Sequence, residues 1–186
     1  MSKIEMFNKM AANPENKPKE IISVLDFKNG DNVLEIGVGG GYYANMIAQI
    51  IGPAGTYYGF EINEEFIDNL KQVNLASKYK NIKPIKITEN SIPKLDKKMD
   101  LVFTRNSYHH LENRVEYFSN LKPLLNNDAK IVIIDFNKNH LTIKPDGHFV
   151  KKEVIVEEMT EAGYVLKTDY EILPFQSFLV FKQTNN

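Results

Sequence analysis

Val33-Leu34-Glu35-Ile36-Gly37-Val38-Gly39-Gly40-Gly41-Tyr42 decides the reading of this chain. Val33 to Ile36 suits a buried strand, and four glycines then fall within five residues. Tyr42 opens a helix-like stretch that stops at Gly52-Pro53. Glycines at a strand end let the backbone turn tightly and let a ligand press against the main chain. A plain strand–helix turn needs fewer of them, so Gly37 to Gly41 is read as a binding loop.

The same alternation continues outward. Strands are expected at Asn32–Ile36, Thr56–Ile62, Ile82–Ile87, Leu101–Thr104 and Ile131–Phe136. Helices are expected at Pro18–Phe27, Tyr42–Ile51, Glu64–Ser77, Arg114–Leu125 and Lys151–Ala162. Strand–helix–strand repetition means a mostly parallel sheet with helices on both faces. Two strands close the chain, Val165–Glu171 and Gln176–Phe181. The link between them is too short for a crossover helix, so the last strand runs antiparallel to its neighbour. Phe175, Phe178 and Phe181 are expected as exposed edge residues that would permit a dimer without requiring one.

Composition narrows the classes. At 186 residues the chain reads as a single domain over 1–186. It has a cap segment at 1–17 and a possible lid loop at 137–149. No cysteine is present, which removes disulfides, thiolate metal sites and cysteine nucleophiles. No metal site is expected. The 23 basic and 24 acidic residues nearly cancel, so no global field favours nucleic acid or an anionic membrane. No leader-like or membrane-spanning apolar run is seen, so the default expectation is a cytoplasmic protein.

Three features choose among ligands for the glycine loop. A dinucleotide fingerprint wants a third small residue where Tyr42 stands. Glu35 sits badly beside a pyrophosphate but well near the ammonium of an amino-acid moiety. The antiparallel C-terminal strand is the third. With these residues in order, the chain resembles the class I S-adenosylmethionine-dependent methyltransferases, small-molecule type. Gly52–Glu61 resembles the second strand with its acidic end, and Met99–Thr104 the fourth. Leu121–Leu125 followed by Lys130–Asp135 resembles the segment entering the fifth. The resemblance implies a Rossmann-like seven-stranded sheet, S-adenosylmethionine as cofactor, and a small-molecule acceptor methylated by in-line displacement. A non-catalytic S-adenosylmethionine-binding or sensing protein is the first alternative. An NAD-dependent oxidoreductase is the second.

On the cofactor side the expected residues are Glu35, Gly37, Val38, Gly39, Gly41, Glu61, Ile62, Glu89, Asn90 and Arg105. Glu61 ends the second strand, where a carboxylate can accept from both ribose hydroxyls. Its plainer reading is a helix-capping acid before Asn63. Ile62 packs either on adenine or in the core. Glu89 and Asn90 stand where the family usually places an adenine-contacting Asp. Arg105 pairs either with an anion of substrate or cofactor, or with Glu112 or Asp100.

Ligands sit beyond the carboxyl ends of parallel strands. The loop Thr104-Arg105-Asn106-Ser107-Tyr108-His109-His110 therefore faces the transferred methyl group. His110, His148 and Tyr108 are the catalytic candidates, since a base helps when the nucleophile must lose a proton. His140 is a further possible base. Each has a bland alternative, a polar group satisfied locally in a loop. The Asn/Asp-Pro-Pro-aromatic motif of amino-adenine and glutamine methylation is absent after the fourth strand, and the lysines near 78–98 are interleaved with acids. Both observations argue against nucleic acid as the acceptor. The oligomeric state is not readable from the residues.

Overall fold

The computed structural model describes residues 1–89, 91–139 and 148–184. It divides into two compact units, Met1–Thr88 and Glu89–Asn186. Expectations placed on Asn90, His140 and the middle of the 137–149 loop lie outside the described residues.

The first unit opens with helix α1 (Lys3–Ala12), started by a capping box in which Ser2 and Glu5 each satisfy the other's backbone N–H. Helix α2 (Pro18–Leu25) has proline at its first position, where a missing N–H costs nothing. Then come β1 (Asn32–Ile36), α3 (Tyr42–Ile51), β2 (Thr56–Glu61), α4 (Glu64–Ala76) and β3 (Ile82–Lys86). The strands lie in the order β3-β2-β1, all parallel, with Leu34 opposite Tyr58 and Tyr58 opposite Lys83. All six residues of β2 are buried, as expected of a central strand covered on both faces. Asn63 caps α4 by accepting the Glu65 N–H at 2.9 Å.

The second unit holds β4 (Met99–Arg105), α5 (Arg114–Leu121), β5 (Leu125–Phe136), α6 (Lys152–Glu161), β6 (Tyr164–Asp169) and β7 (Gln176–Gln183). Their order is β4-β5-β7-β6, and β7 runs antiparallel to both neighbours. The seven strands form one Rossmann-like α/β sheet with its antiparallel strand at the C-terminal end, as the sequence implies.

Two expectations change. The helix from Arg114 does not reach Leu125. Pro123 lacks an N–H and sits in a single 3-10 turn at Lys122–Leu124, and Leu125 already pairs with Met99. Strand β5 is therefore much longer than its apolar part, because Asn126, Asn127 and Asp128 hide its start from a hydrophobicity reading. Phe178 and Phe181 are fully buried, not exposed at an edge. The reason is topological: β7 is inserted between β5 and β6, and β6 takes the edge.

Candidate functional site

In the first unit the glycine loop leaves β1 and enters α3. Gly37, Gly39 and Gly41 have φ of 78°, 54° and 81°, a region that side-chain-bearing residues avoid. Gly41 is the N-cap of α3 and contributes no side-chain bond, so the helix opens with its first amides facing the loop. Such an end favours an anion, for instance a carboxylate.

Glu61 lies at the carboxyl end of β2 and is buried. Its Oε2 accepts the Gly39 N–H at 3.1 Å, and its Oε1 accepts from Ile62 at 2.9 Å and Asn63 at 3.0 Å. These bonds bear on the capping reading of this acid. It caps the local turn, and it is fixed against the glycine loop with further acceptor capacity, since a carboxylate offers about four lone-pair sites. Ile62 is 52% exposed, which removes its reading as a core isoleucine and leaves an apolar face at the end of β2. Val38 is buried, so any ligand contact there is through its backbone.

Glu35 is also buried, and its carboxylate accepts from the hydroxyl of Tyr57 on β2. Burial and then the adjacent carboxylate push the Tyr57 hydroxyl well above its ordinary pKa, so it stays a donor. At least one Glu35 oxygen is thus committed inside the unit.

Gly40 has a different explanation from its neighbours. A Cβ there would collide with Asn8 Oδ1 and lie 2.8 Å from the Ile4 carbonyl. Helix α1 is pressed on this glycine, and Phe7 lies 3.9 Å from a Cβ built at Gly39. Phe7 in turn meets Phe66 edge to face at 5.5 Å. Helix α1 is therefore packed against the glycine loop.

In the second unit β4 ends at Arg105, and Asn106 takes a left-handed backbone at φ 54°. Asparagine tolerates that region better than most residues, and its N–H is held by the Ile134 carbonyl at 2.8 Å. Arg105 donates to Gln176 Oε1 at 3.4 Å, and Gln176 Nε2 donates to Asn106 Oδ1 at 2.5 Å. Asp100, one of the partners weighed for Arg105, accepts from Asn126 at 2.7 Å. Glu89 is exposed.

Tyr108 is fully buried, and its hydroxyl donates to Glu158 Oε2 at 2.7 Å. Arg114 grips the same carboxylate in two places, at 2.8 and 2.7 Å, with its guanidinium over the Tyr108 ring. Burial and then Glu158 push the Tyr108 hydroxyl far above its ordinary pKa. The phenol thus belongs to a clasp that fixes the loop after β4 to α5 and α6.

The histidines after β4 do come together. His109 Nδ1 lies 2.7 Å from Asp135 Oδ1, and its backbone N–H donates to Asp135 Oδ2 at 2.8 Å. The His110 ring centroid is 4.0 Å from that of His109, and His148 lies 6.0 Å from His110. Burial, then His109 and His148, lower the pKa of His110 against an opposing pull from Asp135. Sequence reasoning picked His110 and His148 but missed the carboxylate behind them. The available signal was the position of Asp135 at the end of the fifth strand. Among the described residues no cluster of His, Cys, Asp and Glu is arranged to hold a metal ion. No described helix is long and apolar enough to cross a membrane.

Comparison with known proteins agrees with this arrangement. The family model described as a methyltransferase domain matches residues 27–172. The chain belongs to that family. A protein-L-isoaspartate O-methyltransferase of Methanococcus maripaludis is 38% identical over 61 residues, 33% of this chain and 29% of that protein. One of Archaeoglobus fulgidus is 36% identical over 62 residues, 33% of this chain and 28% of its own length. The match thus spans under a third of these relatives. In fold, a crystal structure of a SAM-dependent methyltransferase from Aquifex aeolicus has a TM-score of 0.85 at 22% identity, covering 98% of this chain and 97% of that one. Aeropyrum pernix fibrillarin, solved with natively bound S-adenosyl-L-methionine, has a TM-score of 0.65 at 19% identity, covering 83% and 67%.

Proposed function

We propose that this chain transfers the methyl group of S-adenosylmethionine to a small-molecule acceptor by in-line displacement. The observation that carries the reading is the Glu61 carboxylate, buried and fixed by three backbone N–H groups against the glycine loop. A fixed carboxylate at that strand end suits a ribose diol. Gly37, Val38, Gly39 and Gly41 give the cofactor backbone approach, and the first amides of α3 face its carboxylate. Glu35 takes the amino group with whatever capacity Tyr57 leaves, Ile62 covers adenine, and Glu89, Asn90 and Arg105 are the remaining proposed contacts. Nothing in this set requires a metal. Methyl transfer needs alignment and exclusion of water more than bond-making by the protein. His110 and His148 are the proposed acid–base groups, and Tyr108 supports the loop that carries the first of them.

A protein acceptor is the second reading, favoured by the names of the partially matching relatives. A binding protein without turnover is the third. The test is calorimetric titration with S-adenosylmethionine, with and without Glu61→Ala, followed by a search for S-adenosylhomocysteine among incubated acceptors. Binding that the variant loses supports the reading. Binding with no turnover over a broad acceptor panel favours the non-catalytic one, and no binding overturns both.

A further inference from the structure

Asp135 has no side-chain exposure, and that of His109 is only 6%. The three hydrogen bonds accepted by Asp135 come from the N–H of Phe136 at 2.7 Å, the N–H of His109, and the His109 ring. Its two oxygens are therefore committed in direction, and Nδ1 of His109 faces an acceptor only. A carboxylate in that place demands a proton on Nδ1, which leaves Nε2 of the neutral ring without one. Against that oriented ring sits the exposed His110, with His148 completing a group of three imidazoles. A buried carboxylate behind a buried imidazole, itself behind an exposed one, is more than local satisfaction of a loop requires.

We infer that Asp135 and His109 are positioning residues that hold His110 as the proton acceptor at the end of β4, and that the methylated acceptor is an X–H group on oxygen or nitrogen rather than a carboxylate. The inference rests on the methyl-transfer reading above. In the step it describes, a lone pair on X forms the X–CH3 bond as the carbon–sulfur bond breaks. Sulfur keeps the bonding pair and S-adenosylhomocysteine leaves. The proton of X–H passes to the His110 imidazole and from there to water. A carboxylate acceptor, such as the isoaspartate named for the partial relatives, carries no proton at neutral pH and gives an imidazole nothing to do. Among the described residues, the titratable groups that act on His110 are His109 from its own turn, Asp135 from β5 and His148. Its lowered pKa keeps it neutral, with a lone pair available, at pH 7.

Long-range 1H–15N imidazole spectra of the full chain at pH 7 test the arrangement without any acceptor. The expected result is His109 protonated at Nδ1. A proton on Nε2 instead overturns the inference. Asp135→Asn puts an NH2 group where one of the two oxygens accepts, so it cannot serve both backbone donors and the ring, and the fraction of His109 protonated at Nδ1 should fall. Its affinity for S-adenosylmethionine should stay within about twofold of wild type. Methyl transfer from labelled S-adenosylmethionine is then followed with three probes, a phenol, a primary amine and an isoaspartyl peptide. Transfer to phenol or amine should fall roughly 100-fold in His110→Gln at unchanged KM for the cofactor. In Asp135→Asn it should fall less, with a displaced pH profile. Transfer to the peptide that His110→Gln leaves intact overturns the assignment of acceptor class. Failure of the wild type to bind S-adenosylmethionine overturns the methyl-transfer reading itself, while the tautomer result stands apart from it.

Discussion

The end of β1 and the end of β4 solve the same problem with different materials. In the proposed site the groups offered after β1 are mostly backbone. Three left-handed glycines, the amides that open α3 and one acid make the surface, and the three glycines and Glu61 lie within 25 residues. After β4 the groups are side chains gathered from far apart. His109 meets Asp135 across 26 residues, and Tyr108 meets Glu158 across 50. A backbone site tolerates change in most side chains near it but not in its glycines. A side-chain site has the opposite sensitivity.

The largest effect expected from that contrast is at Glu61. Two ribose hydroxyls on a charged acceptor are worth about 3–4 kcal/mol together. Glu61→Ala should therefore weaken S-adenosylmethionine binding by roughly 100-fold or more in a calorimetric titration. Glu61→Gln, which keeps an acceptor, should lose less.

Next comes Gly40→Ala, which sharpens the backbone side of the contrast. Its methyl group would enter the space of Asn8 and Ile4, so α1 should lift from the loop. Overpacking of this kind costs about 1–3 kcal/mol. Cleavage by a nonspecific protease within residues 3–12 should rise in parallel. Gly30→Ala is the control, since a Cβ there meets nothing within 4 Å and only its φ of +97° resists the change.

On the side-chain half, Arg114→Ala should destabilise by about 1–2 kcal/mol in chemical denaturation. The pair is only partly buried, which discounts a full buried-ion-pair loss. Burial raises the Glu158 pKa, but the bonds from Arg114 and Tyr108 outweigh it and leave a lowered value. The sign follows: this contribution is complete above the ordinary glutamate pKa and fades as pH falls through the lowered one. Glu158→Gln should remove that part of the acid sensitivity. The smallest effect is expected for Lys152→Ala, whose bond to Asp169 at 2.6 Å is substantially exposed. Its loss should stay below about 0.5 kcal/mol.

The same contrast explains what could be read from residues alone. Strand and helix order followed from apolar runs and stop signals, and Tyr42–Ile51 matched at both ends. The glycine loop of the candidate site was legible because a backbone loop is local and spells itself in consecutive positions, and Glu61 because it ends the next strand. The Asp135–His109 pair was not, because nothing in either segment specifies the other without the parallel pairing of β4 and β5. Of the two arginines, Arg105 drew attention by position, yet Arg114 carries the two-pronged ion pair, with a partner 44 residues away. Gly40, the one glycine of the loop not expected to touch the cofactor, has another reason to be small, because helix α1 leans on it.

The place of β7 has a consequence for synthesis. Chains emerge from the ribosome N-terminus first, at about 5–20 residues per second. The strands β1, β2 and β3 are neighbours in the order they emerge, so their pairing needs nothing made later. Strand β6 emerges before the strand that will separate it from β5. Until residues 176–183 are out, β5 shows an open, strongly apolar edge at Ile131–Ile134 and β6 has no partner. A nascent chain stalled near residue 175 should therefore be a target for chaperones or a seed for aggregation, and the last eight-residue strand acts as the latch that ends that exposure.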